Sequence, residues 1–155
     1  MPAAPGQAIC SGRWIVSCRP CSGRALRVRE SYYDSRKTGR QKTDGEYYQD
    51  LCALAGDLPV SAVVVDPSAL SFITLIRQEG RFSVRKASND VLGGIRTVGA
   101  FLKSGRVKIH PRCENTLREL ERYRWAEEDR DRPVKEQDHA MDDMRYFVMT
   151  VLRRL

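Results

Sequence analysis

The sequence predicts an α/β domain with a partly parallel sheet flanked by helices. Three observations carry that prediction. From Ala25 onward, short apolar runs alternate with amphipathic stretches of helical length, the order that lays helices on the faces of a sheet. Residues 60–65 read VSAVVV, an apolar, β-branched run of the kind found in a strand buried on both faces. Gly56, Gly80 and Gly105 stand where successive elements must end.

Taken in order, residues 25–33 (ALRVRESYY) alternate loosely, as a half-buried strand does. The basic run at residues 34–42 (DSRKTGRQK) contains Gly39 and reads as a loop or hairpin arm. Thr43 offers a helix N-cap with Glu46 as its capping-box partner, and the helix should run to about Leu54 before Gly56. The strand at 60–65 stops at Asp66-Pro67. A helix over 68–79, a strand over 82–86 and a helix from Asn89 or Asp90 to Leu102 follow. After Gly105 come a strand at 106–110, a helix at 113–123 and the polar linker AEEDRDRPVKEQ. A last helix runs from Asp138 to about Leu152, with Met141, Met144, Tyr146, Phe147, Val148 and Val151 available to face inward. No internal repeat is visible. The phosphate loop GxxxxGK[ST] is absent, so no nucleotide-hydrolysing motor is recognisable.

Size and composition bound the function. The 155 residues are about one domain's worth, with 41% hydrophobic and 30% charged residues, as in a globular protein. A net charge of +7 favours a polyanionic partner, because Lys and Arg gain by neutralising phosphates. No apolar run approaches the roughly 20 residues of a membrane span, and the N-terminus lacks the apolar core of a secretory signal. Five cysteines, an odd number at scattered spacings, point to a reducing cytoplasm rather than a disulfide framework. Cys18-Arg-Pro-Cys21 is half of a zinc or redox motif with no second pair, and reads as incidental. Residues 1–29 contain five arginines and no carboxylate, Glu30 being the first. Residues 1–23 are therefore read as an atypical segment and residues 24–155 as the domain.

Two places hold candidate chemistry. Asp66 follows the apolar strand at its carboxyl end, where open α/β sheets place functional groups, although an Asp-Pro there also suits a helix cap. At the start of the last helix, His139 and Asp142 stand one turn apart and Asp138 neighbours Asp142. Acidic residues there also simply complement the helix dipole. Together the two sites could present oxygen ligands to Mg²⁺ or Mn²⁺ from separate elements. Two such ions about 4 Å apart support phosphodiester hydrolysis. The basic loop offers Arg36, Lys37, Arg40 and Lys42 to a DNA backbone beside Tyr32, Tyr33, Tyr47 and Tyr48, or is a solvated loop with tyrosines half in the core.

Four segments carry a family resemblance: ESYYDSRKTGRQKTDGEYYQDL, VVVDPSALSFI, KASNDVLGGIRTVGAFLKSGRVKIH and PVKEQDHAMDDMRYFVMT. From about Arg24 to Thr150 the chain resembles the C-terminal nuclease domain of phage terminase large subunits, in the group that includes PBSX-like prophage enzymes. The resemblance implies an RNase H-like mixed sheet and a divalent-metal-dependent endonuclease that cuts concatemeric DNA during genome packaging. It implies two Mg²⁺ or Mn²⁺ ions, with Asp66 matching the strand-end ligand, Asp142 the ligand on the last helix and His139 the histidine three residues before it. Asp138 falls in the same motif. Implied partners are double-stranded DNA, a portal protein and a small terminase subunit, in the cytoplasm of a bacterial host and with no membrane. The family's first strand carries a further metal-bridging Asp that residues 1–29 do not supply, so that strand is expected to be missing or replaced, as in a fragment that also lacks the ATPase motor. Two other readings stay open: a non-catalytic DNA-binding or packaging-assembly module, and a resolvase- or transposase-like nuclease.

Overall fold

The computed structural model describes residues 12–17, 24–33, 35–57, 60, 62–124, 133–134 and 138–154. Among them, strands and α-helices run in the order β1 (Gly12–Ser17), β2 (Arg24–Glu30), α1 (Ser35–Thr38), α2 (Asp44–Ala55), β3 (Val63–Val65), α3 (Leu70–Glu79), β4 (Val84–Lys86), α4 (Val91–Lys103), β5 (Val107–Ile109), α5 (Glu114–Arg122) and α6 (His139–Thr150). A 3₁₀ turn at Leu152–Arg154 follows. The α/β class stands, built on two small sheets. In one, β2 lies antiparallel to β1 and parallel to β5, with Ala25 opposite Val107. In the other, β3 and β4 are parallel, with Val63 opposite Val84 and Val65 opposite Lys86.

Local chemistry explains the boundaries. Thr43 and Glu46 form the capping box: the Glu46 N–H donates to Thr43 Oγ1 at 3.3 Å and the Thr43 N–H to Glu46 Oε2 at 2.8 Å. Asp90 caps α4 by accepting from the Gly93 N–H at 2.9 Å. Gly80 closes α3 at φ 70°, a left-handed turn that a side chain disfavours. The strand expected over 60–65 is shorter, since β4 offers only three residues to pair with, and Val64 between the buried Val63 and Val65 is half-buried. Two further differences concern irregular segments. Ser35–Thr38 makes a short helix inside the expected loop, and Gly12–Ser17 is a strand inside the segment set apart as atypical. Cys18 and Cys21 lie outside the described residues.

Burial divides into two clusters. Tyr47 and Leu51 of α2, Val63 and Val65 of β3, Phe72, Ile73 and Ile76 of α3 and Phe82 form the first. Ala25 of β2, Val98 of α4, Val107 of β5, Met141, Met144, Phe147 and Val148 of α6 and Leu152 form the second. Each large side chain so removed from water contributes roughly 1.5–3 kcal/mol. Helix α6 also touches β3 and so reaches the first sheet from the second core.

Helix α6 is buried on nearly every side, and that forces polar pairing. Ala140, Met141 and every residue from Asp143 to Thr150 are buried. A buried charge or hydroxyl without a partner costs several kcal/mol. Asp143 pairs with Arg27 of β2, both nearly inaccessible. Thr150 Oγ1 accepts from the Ser88 N–H at 3.0 Å, just past β4. At its N-terminus, the Ala140 and Met141 N–H groups donate to Glu119 Oε2 of α5 at 2.7 and 3.3 Å. Asp138 occupies the N-cap position without a side-chain capping bond, so Glu119 takes that task from another helix. Burial pushes the Glu119 carboxyl up, against the Tyr32 hydroxyl and those two N–H groups.

Glu30, the first carboxylate of the chain, anchors α5 in the same manner. It accepts from the Asn115 N–H at 2.7 Å, the Thr116 N–H at 3.0 Å and the Thr116 hydroxyl at 2.6 Å. Burial alone would raise its pKa, but these bonds hold it below the ordinary 4.5.

Asp143→Ala leaves Arg27 without its carboxylate and should destabilise the protein by about 3–5 kcal/mol in urea unfolding; a loss under about 1 kcal/mol contradicts the pairing. Because the folded Glu30 pKa is depressed, its contribution is present above the unfolded value and disappears as pH falls through the folded one. Glu30→Gln should therefore flatten the acid limb of the stability–pH curve below about pH 4.5. An acid limb identical to the wild type contradicts this.

Candidate functional site

Asp66 stands at the carboxyl end of β3, immediately after Val65. Its Oδ1 accepts from the Ser68 N–H at 2.8 Å and from the Ser68 hydroxyl at 2.7 Å. Its Oδ2 accepts from the Tyr146 hydroxyl of α6 at 2.6 Å. The capping alternative for Asp66 does not hold: α3 begins at Leu70 with Ala69 at the cap position, and Asp66 instead closes a side-chain turn onto Ser68. Burial would raise the Asp66 carboxyl, but the Tyr146 and Ser68 hydrogen bonds, aided by the Arg145 charge, hold it below its ordinary value. The Tyr146 hydroxyl is correspondingly pushed up by burial and by its bond to Asp66.

Asp142 lies one turn before Tyr146 on the same helix, and Arg145 joins the two. Arg145 Nη2 donates to Asp142 Oδ1 at 2.7 Å, and Nη1 donates to Asn89 Oδ1 at 3.3 Å. The guanidinium carbon sits 4.7 Å from the centre of the Tyr146 ring. Tyr123 lies near Asp142, and burial followed by the Asp142 charge pushes its hydroxyl up to about 12. Asp66, Tyr146, Arg145, Asp142 and Asn89 thus form one connected polar network at the carboxyl ends of β3 and β4.

The other expected donors are less concentrated. His139 opens α6, half-buried, near Glu119. Among the described residues, no three of His, Cys, Asp and Glu converge where they could hold a metal ion. As packed, Asp66, Asp138, His139 and Asp142 therefore do not come together as one ligand set.

The basic loop is also more committed than its composition suggests. Arg40 pairs with Glu46 at 2.7 Å, and Lys42 pairs with Asp50 while lying 4.5 Å above the Tyr33 ring. Lys37 is exposed on α1, and the Arg36 side chain lies outside what is described. Tyr47 is buried with Tyr33 packed edge-on against it, centroids 6.2 Å apart, and Tyr48 packs on Phe82. These tyrosines serve the core. Sequence spacing alone points to neither Arg145 nor Asn89 as part of a site, and counts Tyr146 only as apolar filling. The available signal is the i, i+3 and i, i+4 spacing of Arg145 and Tyr146 from Asp142.

Tyr146→Phe removes one donor from Asp66 and should shift the Asp66 carboxyl titration upward, as read by carboxyl-carbon NMR. It should also cost about 1–3 kcal/mol of stability. An unmoved Asp66 titration contradicts the assignment of that hydrogen bond.

No family model and no curated protein matches the chain. Solved structures do. The large terminase of a thermophilic bacteriophage, in complex with ADP, matches at TM-score 0.80 and 44% identity, over 84% of this chain and 34% of that one. The same large terminase in complex with ATP-γ-S matches at TM-score 0.83 and 43% identity, over 91% and 36%. A further crystal form gives TM-score 0.82 at 43% identity, over 91% and 35%. By sequence and fold together, the chain belongs with the phage large terminases and spans about a third of the length of those it matches.

Proposed function

We propose that the chain is the nuclease portion of a phage large terminase, a divalent-metal-dependent endonuclease that cuts concatemeric DNA during packaging. The observation that carries this reading is the pairing of Asp66, at the end of β3, with Asp142 of α6 through Tyr146 and Arg145. Two carboxylates from separate elements at the carboxyl ends of parallel strands suit phosphodiester chemistry. The sequence contains no phosphate-binding GxxxxGK[ST] loop, which argues against assigning it a motor role. The net charge of +7 suits double-stranded DNA, and Lys37 is an exposed contact for it. A portal protein and a small terminase subunit are the further partners of this reading, in the host cytoplasm. No helix among the described residues is long and apolar enough to cross a membrane.

Mg²⁺ or Mn²⁺ is the ion this reading calls for, but the donor set does not fit one as packed. Asp66 is satisfied by Ser68 and Tyr146, Asp142 is engaged by Arg145, and no third ligand converges with them among the described residues. The same fact favours a second reading, a DNA-binding piece of the packaging machine that does not cut.

Nicking of supercoiled plasmid in Mn²⁺ separates the two. The nuclease reading predicts cleavage that Asp66→Ala and Asp142→Ala each abolish. A folded chain that retards plasmid but never nicks it supports the second reading, and a chain that does neither sinks both.

A further inference from the structure

Arg145 is a cation held at 4% exposure inside the protein. Its surroundings are built for it from four directions. Asp142 takes Nη2 and Asn89 takes Nη1, while the Tyr146 ring underlies the guanidinium. Gly94 of α4 clears the path of the stem, since a Cβ there would stand 2.4 Å from Arg145 Cγ and 2.7 Å from Cδ. The ring that underlies the guanidinium carries the hydroxyl bound to Asp66. Both candidate ligands are therefore tied to one residue, Asp142 directly and Asp66 through Tyr146.

An ordinary i, i+3 ion pair on a helix surface is worth a few tenths of a kcal/mol and needs no glycine on a neighbouring helix. Here the cation is buried while Asp142 stays partly exposed, and burial of the guanidinium changes the meaning of the pair. Two carboxylates at the edge of a low-dielectric interior repel each other and favour a cation between them. The cation present is the Arg145 guanidinium, bonded to Asp142 and acting on Asp66 through its charge. A divalent ion approaching Asp142 meets a fixed positive charge already donating to Oδ1.

We infer that Arg145 is the resident counter-cation of Asp66 and Asp142, and that its hold on Asp142 is what keeps these residues from fitting a divalent metal. The inference rests on the nuclease reading and accounts for why the ligand set is not assembled as packed. Arg145 is on this view a positioning residue: it keeps the carboxylates folded together without metal, and sets how much metal is needed to draw Asp142 away.

Calorimetric titration of the full chain with Mn²⁺ alone, alongside thermal melting with and without Mn²⁺, tests this in wild type, Arg145→Met and Arg145→Lys. The Met variant should melt lower without metal, bind Mn²⁺ roughly tenfold or more tightly than wild type, and gain more stability from it. The Lys variant, with a charge but without the two-pronged hold on Asp142 and Asn89, should fall between and decides the matter if Met fails to fold. A purely structural Arg145 would lower the melting temperature and leave Mn²⁺ affinity unchanged; folded variants of that kind overturn the inference. Asp66→Ala and Asp142→Ala separate the two failures. Mn²⁺ binding lost in both but not tightened in the Arg145 variants overturns the inference alone. Binding that survives both, or is absent from every protein, overturns the nuclease-site reading and the inference with it. Binding seen only after Arg145 is replaced supports the inference.

Discussion

A helix that is buried on nearly every side and still carries Asp, Arg, Tyr and Thr has few places it can sit. Each of those groups must find a partner as it leaves water. In α6 the partners come from different parts of the chain: Arg27 from β2, Asp66 from the end of β3, Ser88 and Asn89 from the turn after β4, Glu119 from α5. The apolar residues Met144, Phe147 and Val148 supply the burial that drives α6 inward. The polar ones fix its rotation and height. Shifting α6 by one residue would leave a charge unpaired at each end of the network.

The candidate site is a by-product of that docking. Tyr146 reaches Asp66 only because Arg27–Asp143 and Thr150–Ser88 hold the helix against both sheets. The network at the strand ends is tied together within the protein, Asp66 by Ser68 and Tyr146 and Asp142 by Arg145, while Asp142 stays partly exposed. In the bacteriophage large terminase that shares this fold, the matched part is 34% to 36% of the chain.

Features set by neighbouring residues were legible from sequence alone. Thr43 with Glu46, Asp90 and Gly80 announce helix ends through their own chemistry, and each does so in the structure. VSAVVV announces a buried strand, although its length depends on how many residues β4 offers, which only pairing reveals. The α/β class followed from the order of such signals, and the family from segments in the right sequence. Long-range polar partners were not legible. Helical periodicity leaves Asp143 and Arg145 to solvent, because their partners Arg27 and Asn89 are distant along the chain. Asp66 reads as a possible cap because Pro67 suits one, whereas Ser68 draws the carboxylate into a turn. Arg40 and Lys42 read as DNA contacts because the pairing acids, Glu46 and Asp50, lie across a helix start where spacing gives no clear signal.

Because α6 joins both cores, it should be the last element to open, and native-state hydrogen exchange measures this directly. The amides of Met144 to Val148 are expected to exchange only through global unfolding, with the same free energy as those of Val65 and Val107. Exchange of α6 amides at a markedly lower free energy, with β3 and β5 still protected, would show that the helix opens independently and that the site is not held by its docking.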